Sequence, residues 1–254
     1  MTNIEKLNNL IDKSNNIVFF GGAGVSTASG IPDFRSPNGL FHQKINNKYT
    51  TEYMLSHSFY REHKDLFFEF YKTEMCITDV EPCITHKKLA KLEQTGKLKA
   101  VITQNIDGLH QKAGSNKVIE LHGSVNKNYC THCGKEFSAE YVRNSEGIPI
   151  CDVCNDKGAV VKPWVTLYEE ELHDGVMEEA IDFVSKADLL IVAGTSLNVY
   201  PAASLLDYFS HERDENGKRN IVLMNKGDVG KHVDAVLVFN GDMNNVFKQI
   251  KIKE

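Results

Sequence analysis

No apolar run in the 254 residues approaches the ~18 needed to cross a bilayer as a helix, so no transmembrane helix is expected. Basic residues are outnumbered, 29 Lys and Arg against 34 Asp and Glu, for a net charge of −5. That balance leaves no overall electrostatic footprint for nucleic acid, and no direct nucleic-acid partner is expected. The opening stretch MTNIEKLNNLIDK lacks the basic segment, apolar stretch and small-residue cleavage site of a secretory leader, which points to the cytoplasm. Internal repeats and low-complexity tracts are also missing. What remains, 41% hydrophobic and 25% charged, suffices for one large α/β domain with an inserted module, or two modest domains.

Cysteine is sparse but patterned. Four of the six form Cys130-x-x-Cys133 and Cys151-x-x-Cys154, 17 residues apart, the spacing of a four-thiolate zinc ribbon. Four thiolates leave no open coordination position, so one structural Zn²⁺ is expected and not a catalytic one. The alternatives are disulfides, disfavoured in a reducing compartment, and a redox dithiol, disfavoured by two matched pairs. Cys76 and Cys83 have no metal spacing and read as small buried hydrophobes.

The richest stretch is Ile17 to Leu40, IVFFGGAGVSTASGIPDFRSPNGL. Four apolar residues breaking into Gly21, Gly22, Ala23 and Gly24 predict a buried strand entering a tight turn. Gly22 and Gly24 leave backbone N–H groups uncovered by side chains, and Val25 to Ala28 can open a helix whose dipole favours a phosphate. The alternative is a structural glycine turn, and Thr27 stands where the usual dinucleotide fingerprint has its third glycine. Asp33, Phe34 and Arg35 then place a carboxylate, a ring and a guanidinium on an irregular loop, of the kind that serves sites.

Further along, helices are expected over Asn3 to Ser14, Thr85 to Glu93, Asp174 to Ser185 and Pro201 to Phe209, with a helical insertion over Asn38 to Pro82. Strands are expected at Ala100 to Thr103, Val118 to Leu121, Leu189 to Ala193, Ile221 to Met224 and Ala235 to Phe239, with Val160 to Tyr168 extended. The alternation predicts an α/β framework with a doubly wound parallel sheet, interrupted by the helical insertion and the zinc module. Strand after strand ends in polar or glycine residues: Gln104 to Asp107, His122, Gly194 to Ser196, Asn225 and Asp242. One sheet edge therefore collects the candidate chemistry.

Taken together, GAGVSTASGIPDFR, TQNIDGLH, LHGS, the cysteine pairs, GTSLNVYP and MNK resemble the sirtuin (Sir2) family of NAD-dependent protein deacylases, in its bacterial form. The resemblance implies a Rossmann-like NAD-binding domain of residues 1–36, 84–125 and 160–254, a small domain made of a helical insertion (37–83) and a zinc-ribbon module (126–159), and acetyl-lysine proteins as partners. It also implies that Gly22, Ala23, Gly24 and Thr27 would hold the pyrophosphate, with Asp33, Phe34 and Arg35 over the nicotinamide ribose. Gln104, Asn105, Ile106 and Asp107 would line the nicotinamide pocket. Gly194, Thr195 and Ser196 would sit by phosphate or adenosine, Asn225 by the adenine ribose and Asp242 near the adenine. Val165, Leu167, Tyr168, Glu169, Val199 and Tyr200 would meet the substrate peptide. His122 would be the general base, with Asn105 assisting. The acyl oxygen would attack the nicotinamide ribose carbon and the acyl group would move onto the ribose, giving lysine, nicotinamide and O-acetyl-ADP-ribose. By residue type alone, His122 is a loop hydrogen-bonder or a base whose ordinary pKa suits neutral pH.

Two departures are informative. Tyr168-Glu169-Glu170 replaces the family's common Phe-Gly-Glu, which leaves main-chain pairing possible and adds a carboxylate that bears on peptide choice. Glu74 stands where acid-accepting family members have arginine in a Tyr-x-x-Arg pair, so neutral acyl groups are expected, unless Lys72 turns into the channel. Protein ADP-ribosyl transfer, removal of longer neutral acyl chains and a non-catalytic NAD-binding module are the competing readings. A dehydrogenase is disfavoured by the missing third glycine.

Overall fold

The computed structural model of the chain describes residues 1–42, 48–154, 158–209 and 219–253. Short parts of the expected helical insertion (43–47) and zinc module (155–157) lie outside them. The strands are β1 (Ile17–Gly21), β2 (Leu98–Thr103), β3 (Val118–Glu120), β4 (Gly123–Cys130), β5 (Glu136–Phe137), β6 (Val161–Val165), β7 (Leu189–Ala193), β8 (Asn220–Asn225) and β9 (Leu237–Asn240).

Strands with unbroken apolar runs can be buried on both faces, and they form the large sheet, in the order β3-β2-β1-β7-β8-β9 with every pairing parallel. The period of two sorts its two cores. Ile17 and Phe19 of β1 pack with Leu7, Ile11, Leu89 and Phe247, from helices Asn3–Lys13, Ile84–Gln94 and Met243–Lys248. Val18 and Phe20 pack on the opposite face with Ala180, Val184 and Leu205, from the helix Val176–Lys186 and the 3₁₀ segment Ala202–Tyr208. The chain runs outward from β1 through β2 to β3 and later returns to lay β7, β8 and β9 on the other side. Strand order thus reverses between β1 and β7, the place where open α/β sheets bind ligands.

A second, antiparallel sheet has the order β5-β4-β6. It shares its core with the expected insertion, which contributes helices Thr51–Met54, His57–Glu62 and Lys64–Phe70 and a π-turn at Tyr71–Met75. Phe59, Phe67, Phe68 and Tyr71 supply the aromatic mass, meeting Val125, Val161 and Val165 of the small sheet. β6 belongs to this sheet, so a boundary drawn between residues 159 and 160 cuts through it. Among the described residues no helix is long and apolar enough to cross a membrane.

Two local expectations need correction. Val25 to Ala28 opens no α-helix: Ala23–Val25 and Thr27–Ser29 are single 3₁₀ turns. Only five residues separate Gly24 from Gly30, whose φ of 94° ends the segment, so a costly helix nucleus has nothing to propagate into. Pro201 to Phe209 winds as the 3₁₀ segment Ala202–Tyr208 in place of an α-helix.

Candidate active site

The glycine turn after β1 lies against the loop after β7. Gly22 N–H donates to the Ala193 carbonyl at 3.2 Å and Gly24 N–H to Gly194 at 2.9 Å. Neither N–H is therefore open, contrary to expectation, and among the described residues it is the Ala23 N–H that makes no hydrogen bond. The glycines serve close approach: a Cβ on Gly24 would lie 2.8 Å from Gly194 Cα, and one on Gly22 would lie 2.9 Å from the Gly194 carbonyl oxygen. Thr27 Oγ1 donates back to Gly24 O at 3.1 Å. Asp33 stabilises its own loop, accepting from Ser36 N at 3.0 Å, while Phe34 packs on Phe41 and Arg35 lies over the Phe41 ring.

The segment after β2 brings the polar groups together. Gln104 N–H donates to Gly21 O at 3.0 Å, and Gln104 Nε2 donates to Thr195 Oγ1 at 2.8 Å, tying three strand ends together. Asn105 Nδ2 donates to Ser26 Oγ at 3.0 Å, and Ser26 Oγ donates to Asp107 Oδ2 at 2.6 Å. Burial pushes the Asp107 carboxyl up, against the pull of Ser26 and of the Leu109 N–H at 2.9 Å. Nothing local in the sequence marks Ser26 as a site residue, although it lies inside the glycine motif. It is the hub joining Asn105 and Asp107 to that turn. Ile106 and Phe34 pack toward the small-sheet core, so the polar groups stand between the two sheets.

His122 follows β3. Its Nδ1 is 3.0 Å from the Gln104 carbonyl oxygen. A carbonyl can only accept, so Nδ1 carries the proton and Nε2, which has no protein partner among the described residues, is the basic nitrogen. Burial lowers the imidazole pKa below its ordinary value, with the Gln104 contact opposing. Gly123 must be glycine: its φ is 75° and a Cβ there would lie 1.9 Å from the Trp164 carbonyl oxygen. Thr166 N–H donates to the His122 carbonyl at 2.9 Å, so the β6 segment braces the histidine from behind. Beside it the Trp164 indole stacks on His173 at 3.8 Å and 6°, with Lys127 Nζ 4.7 Å from the ring centre. Neutral, buried His110 packs edge-on against His86 and has no solvent access.

The remaining candidates divide. Thr195 is engaged by Gln104, Ser196 O accepts from Gly230 N at 2.7 Å, and Asn225 Nδ2 donates to Gly227 O at 2.9 Å at the end of β8. Asp242 is an exposed helix N-cap, accepting from the Asn244 N–H at 2.9 Å. Val165 and Leu167 are buried in the small core, while Tyr168, Glu169 and Tyr200 are exposed and Val199 is half-buried. Tyr168 spends its main chain internally, N–H to Leu55 O at 3.0 Å and C=O from His57 N at 2.9 Å.

The four cysteine sulfurs lie within 4.8 Å of one another. Sulfurs bound to one tetrahedral Zn²⁺ at ~2.3 Å sit about 3.8 Å apart, and Cys130 to Cys154 and Cys133 to Cys151 are each 3.9 Å. The N–H groups of His132 and Cys133 point at Cys130 Sγ, and that of Cys154 points at Cys151 Sγ, each at 3.4 Å, which favours thiolates. The donor set fits a structural zinc ion.

Residues 22–201 match the profile of the Sir2 family. The chain belongs to that family. It is 51% identical over 247 residues to an NAD-dependent protein deacetylase of Clostridium perfringens, covering 97% of this chain and 98% of the relative. A solved structure described as a Sir2 variant with deacetylated p53 peptide and 3′-O-acetyl ADP ribose superposes with a TM-score of 0.84 at 37% identity, covering 97% of this chain and 96% of the other. Another, described as Sir2 with p53 peptide and NAD⁺, gives 0.82 at 35%, with coverages of 98% and 97%. In this Sir2 chain Gly24→Ala is expected to cost about 1–3 kcal/mol of stability, because the obstructing atoms are backbone and cannot swing aside. Thermal unfolding measures the loss, and NAD titration should show weaker binding alongside it.

Proposed function

We propose that this chain is an NAD-dependent protein lysine deacetylase, moving the acetyl group of acetyl-lysine onto ADP-ribose and releasing nicotinamide and O-acetyl-ADP-ribose. Named relatives and the peptide-bound and NAD-bound Sir2 structures support the reaction. The observation that carries the reading onto this chain is His122, held through Nδ1 by Gln104 O, its Nε2 free at the sheet edge beside the Asn105, Ser26 and Asp107 chain.

Residue roles follow from placement. His122 Nε2 takes the proton of a ribose hydroxyl, which makes that oxygen able to attack the activated acyl carbon. Asp107 and Asn105, cross-linked through Ser26, present a carboxylate and an amide to the nicotinamide carboxamide with their rotamers fixed. Ala23 offers its open N–H to the pyrophosphate, and Phe34 and Arg35 cover the nicotinamide ribose. Asn225 faces the adenine ribose; Asp242, committed to its cap, is the weakest of the assigned contacts. Zinc, held by Cys130, Cys133, Cys151 and Cys154, fastens the small sheet. The small domain takes 37–83 together with the whole of β4 to β6 (123–165), the rest forming the NAD-binding domain. A zinc site of four thiolates suits a reducing cytoplasm.

Mass spectrometry of acetyl-lysine and succinyl-lysine peptides, with and without NAD, tests the reading. Acetyl loss that requires NAD and matches nicotinamide release supports it. Unchanged peptide with consumed NAD favours ADP-ribosyl transfer. Succinyl-lysine should be turned over at least about tenfold less efficiently, because Glu74 repels a second carboxylate. Lys72 cannot compensate: its Nζ donates to the carbonyls of Ser145 and Gly147 at 2.6 and 2.5 Å. Comparable rates on both peptides would refute the acyl preference.

A further inference from the structure

Glu169 occupies a conformation that a glutamate rarely adopts, with φ at 73°. Ser58 holds it there: Glu169 Oε2 accepts from Ser58 N at 2.9 Å and from Ser58 Oγ at 2.7 Å. The Ser58 hydroxyl and N–H, in that order of effect, hold the carboxyl below the usual carboxylate range, so the side chain is an anion at neutral pH. Neighbouring Glu170 is neutralised differently, by His57 Nδ1 at 2.9 Å and Lys162 Nζ at 3.2 Å. Among the described residues Glu169 forms no ion pair, and it is exposed. The result is a fixed negative charge with no ion-pair partner among the described residues and the His57 side chain as its nearby favourable neighbour, on the segment that reaches the substrate in the deacetylase reading, on which this inference rests.

We propose that Glu169 is a specificity-determining residue that selects acetyl-lysine segments with cationic neighbours and rejects those with acidic ones. A mobile surface glutamate would turn away from an acidic peptide at little cost. Tethered through one oxygen, Glu169 cannot turn away, and its other oxygen is left to meet the substrate. Glycine at this position, common in the family, accepts the same backbone conformation without strain and exerts no charge.

The test uses two acetyl-lysine peptides identical except that arginine or glutamate flanks the modified lysine on both sides. With the intact chain at low salt, kcat/KM should favour the arginine peptide by about fivefold to tenfold, gain and repulsion each contributing the worth of one exposed ion pair. The preference should reside in the peptide KM and weaken at high salt. Glu169→Gln, which keeps an oxygen for Ser58 but no charge, should shrink it to within about twofold. Ser58→Ala, which keeps the charge and the N–H contact but removes the hydroxyl and so loosens the tether, should fall between. Equal rates on both peptides in the wild type, or a preference that survives Glu169→Gln, overturns the assignment while leaving the deacetylase reading intact. No NAD-dependent turnover of either peptide overturns the reading itself.

Discussion

His122→Ala is expected to lower deacetylation by about 10²–10⁴-fold, the usual worth of a positioned general base. The loss should fall on the chemical step. The substitution removes one hydrogen bond, to Gln104 O, whose net contribution to stability is about 1 kcal/mol, so the protein should remain folded. Single-turnover measurement with bound NAD separates the outcomes: a variant that binds NAD and peptide but transfers no acetyl group bears out the role. A variant within threefold of wild type would remove His122 from the mechanism. The pH profile supplies an independent check. The base works as neutral imidazole, and burial lowers the His122 pKa from its ordinary value of about 6.5. Neutral imidazole therefore persists to more acidic pH than for an exposed histidine, and the acid-side fall of kcat/KM should have its midpoint below pH ~6.5. A midpoint above that value would mean that the titrating group is not a buried neutral imidazole.

The second large effect concerns the metal. Cys151→Ser should strip the zinc and abolish activity with it, although none of the four cysteine ligands hydrogen-bonds to His122, Asn105 or Asp107. Cys130 and Cys151 are fully buried in the core that also holds Phe137, Val142 and Val161. β5 has two residues and the ribbon has little core of its own, so metal ligation, worth roughly 10–16 kcal/mol for such sites, is its folding energy. Because β4 begins at Gly123, unravelling of the ribbon reaches the residue after His122. Metal analysis should find one zinc per wild-type chain and almost none in the variant, and circular dichroism should show lost structure. Full activity in a metal-free preparation would contradict this account.

What the sequence revealed and what it hid follow from the range of the forces involved. β1, β2, β7 and β8 announced themselves because their apolar runs are continuous and end at glycine or polar residues, both local properties. The cysteine ligands were legible because chelation fixes spacing. Hidden features depend on partners distant in sequence. Gly22 and Gly24 looked like open donors, but their N–H groups are taken by carbonyls about 170 residues away in the chain. Ser26 was inconspicuous until Asn105 and Asp107 closed on it. Lys72 could have turned toward the acyl channel, and only the placement of the 145–147 turn shows where its charge goes. Glu169 was recognisable as unusual by comparison with the family, but its tether to Ser58 spans 111 positions.

The indole stacked between His173 and Lys127 is the sole tryptophan of the chain. Its carbonyl supports Gly123, one residue from His122. Ultraviolet emission from this protein therefore has a single tryptophan source, at the back wall of the site. Tryptophan-selective excitation reads that spot alone, so a stopped-flow fluorimeter should follow substrate arrival and departure in the unlabelled, unmutated enzyme.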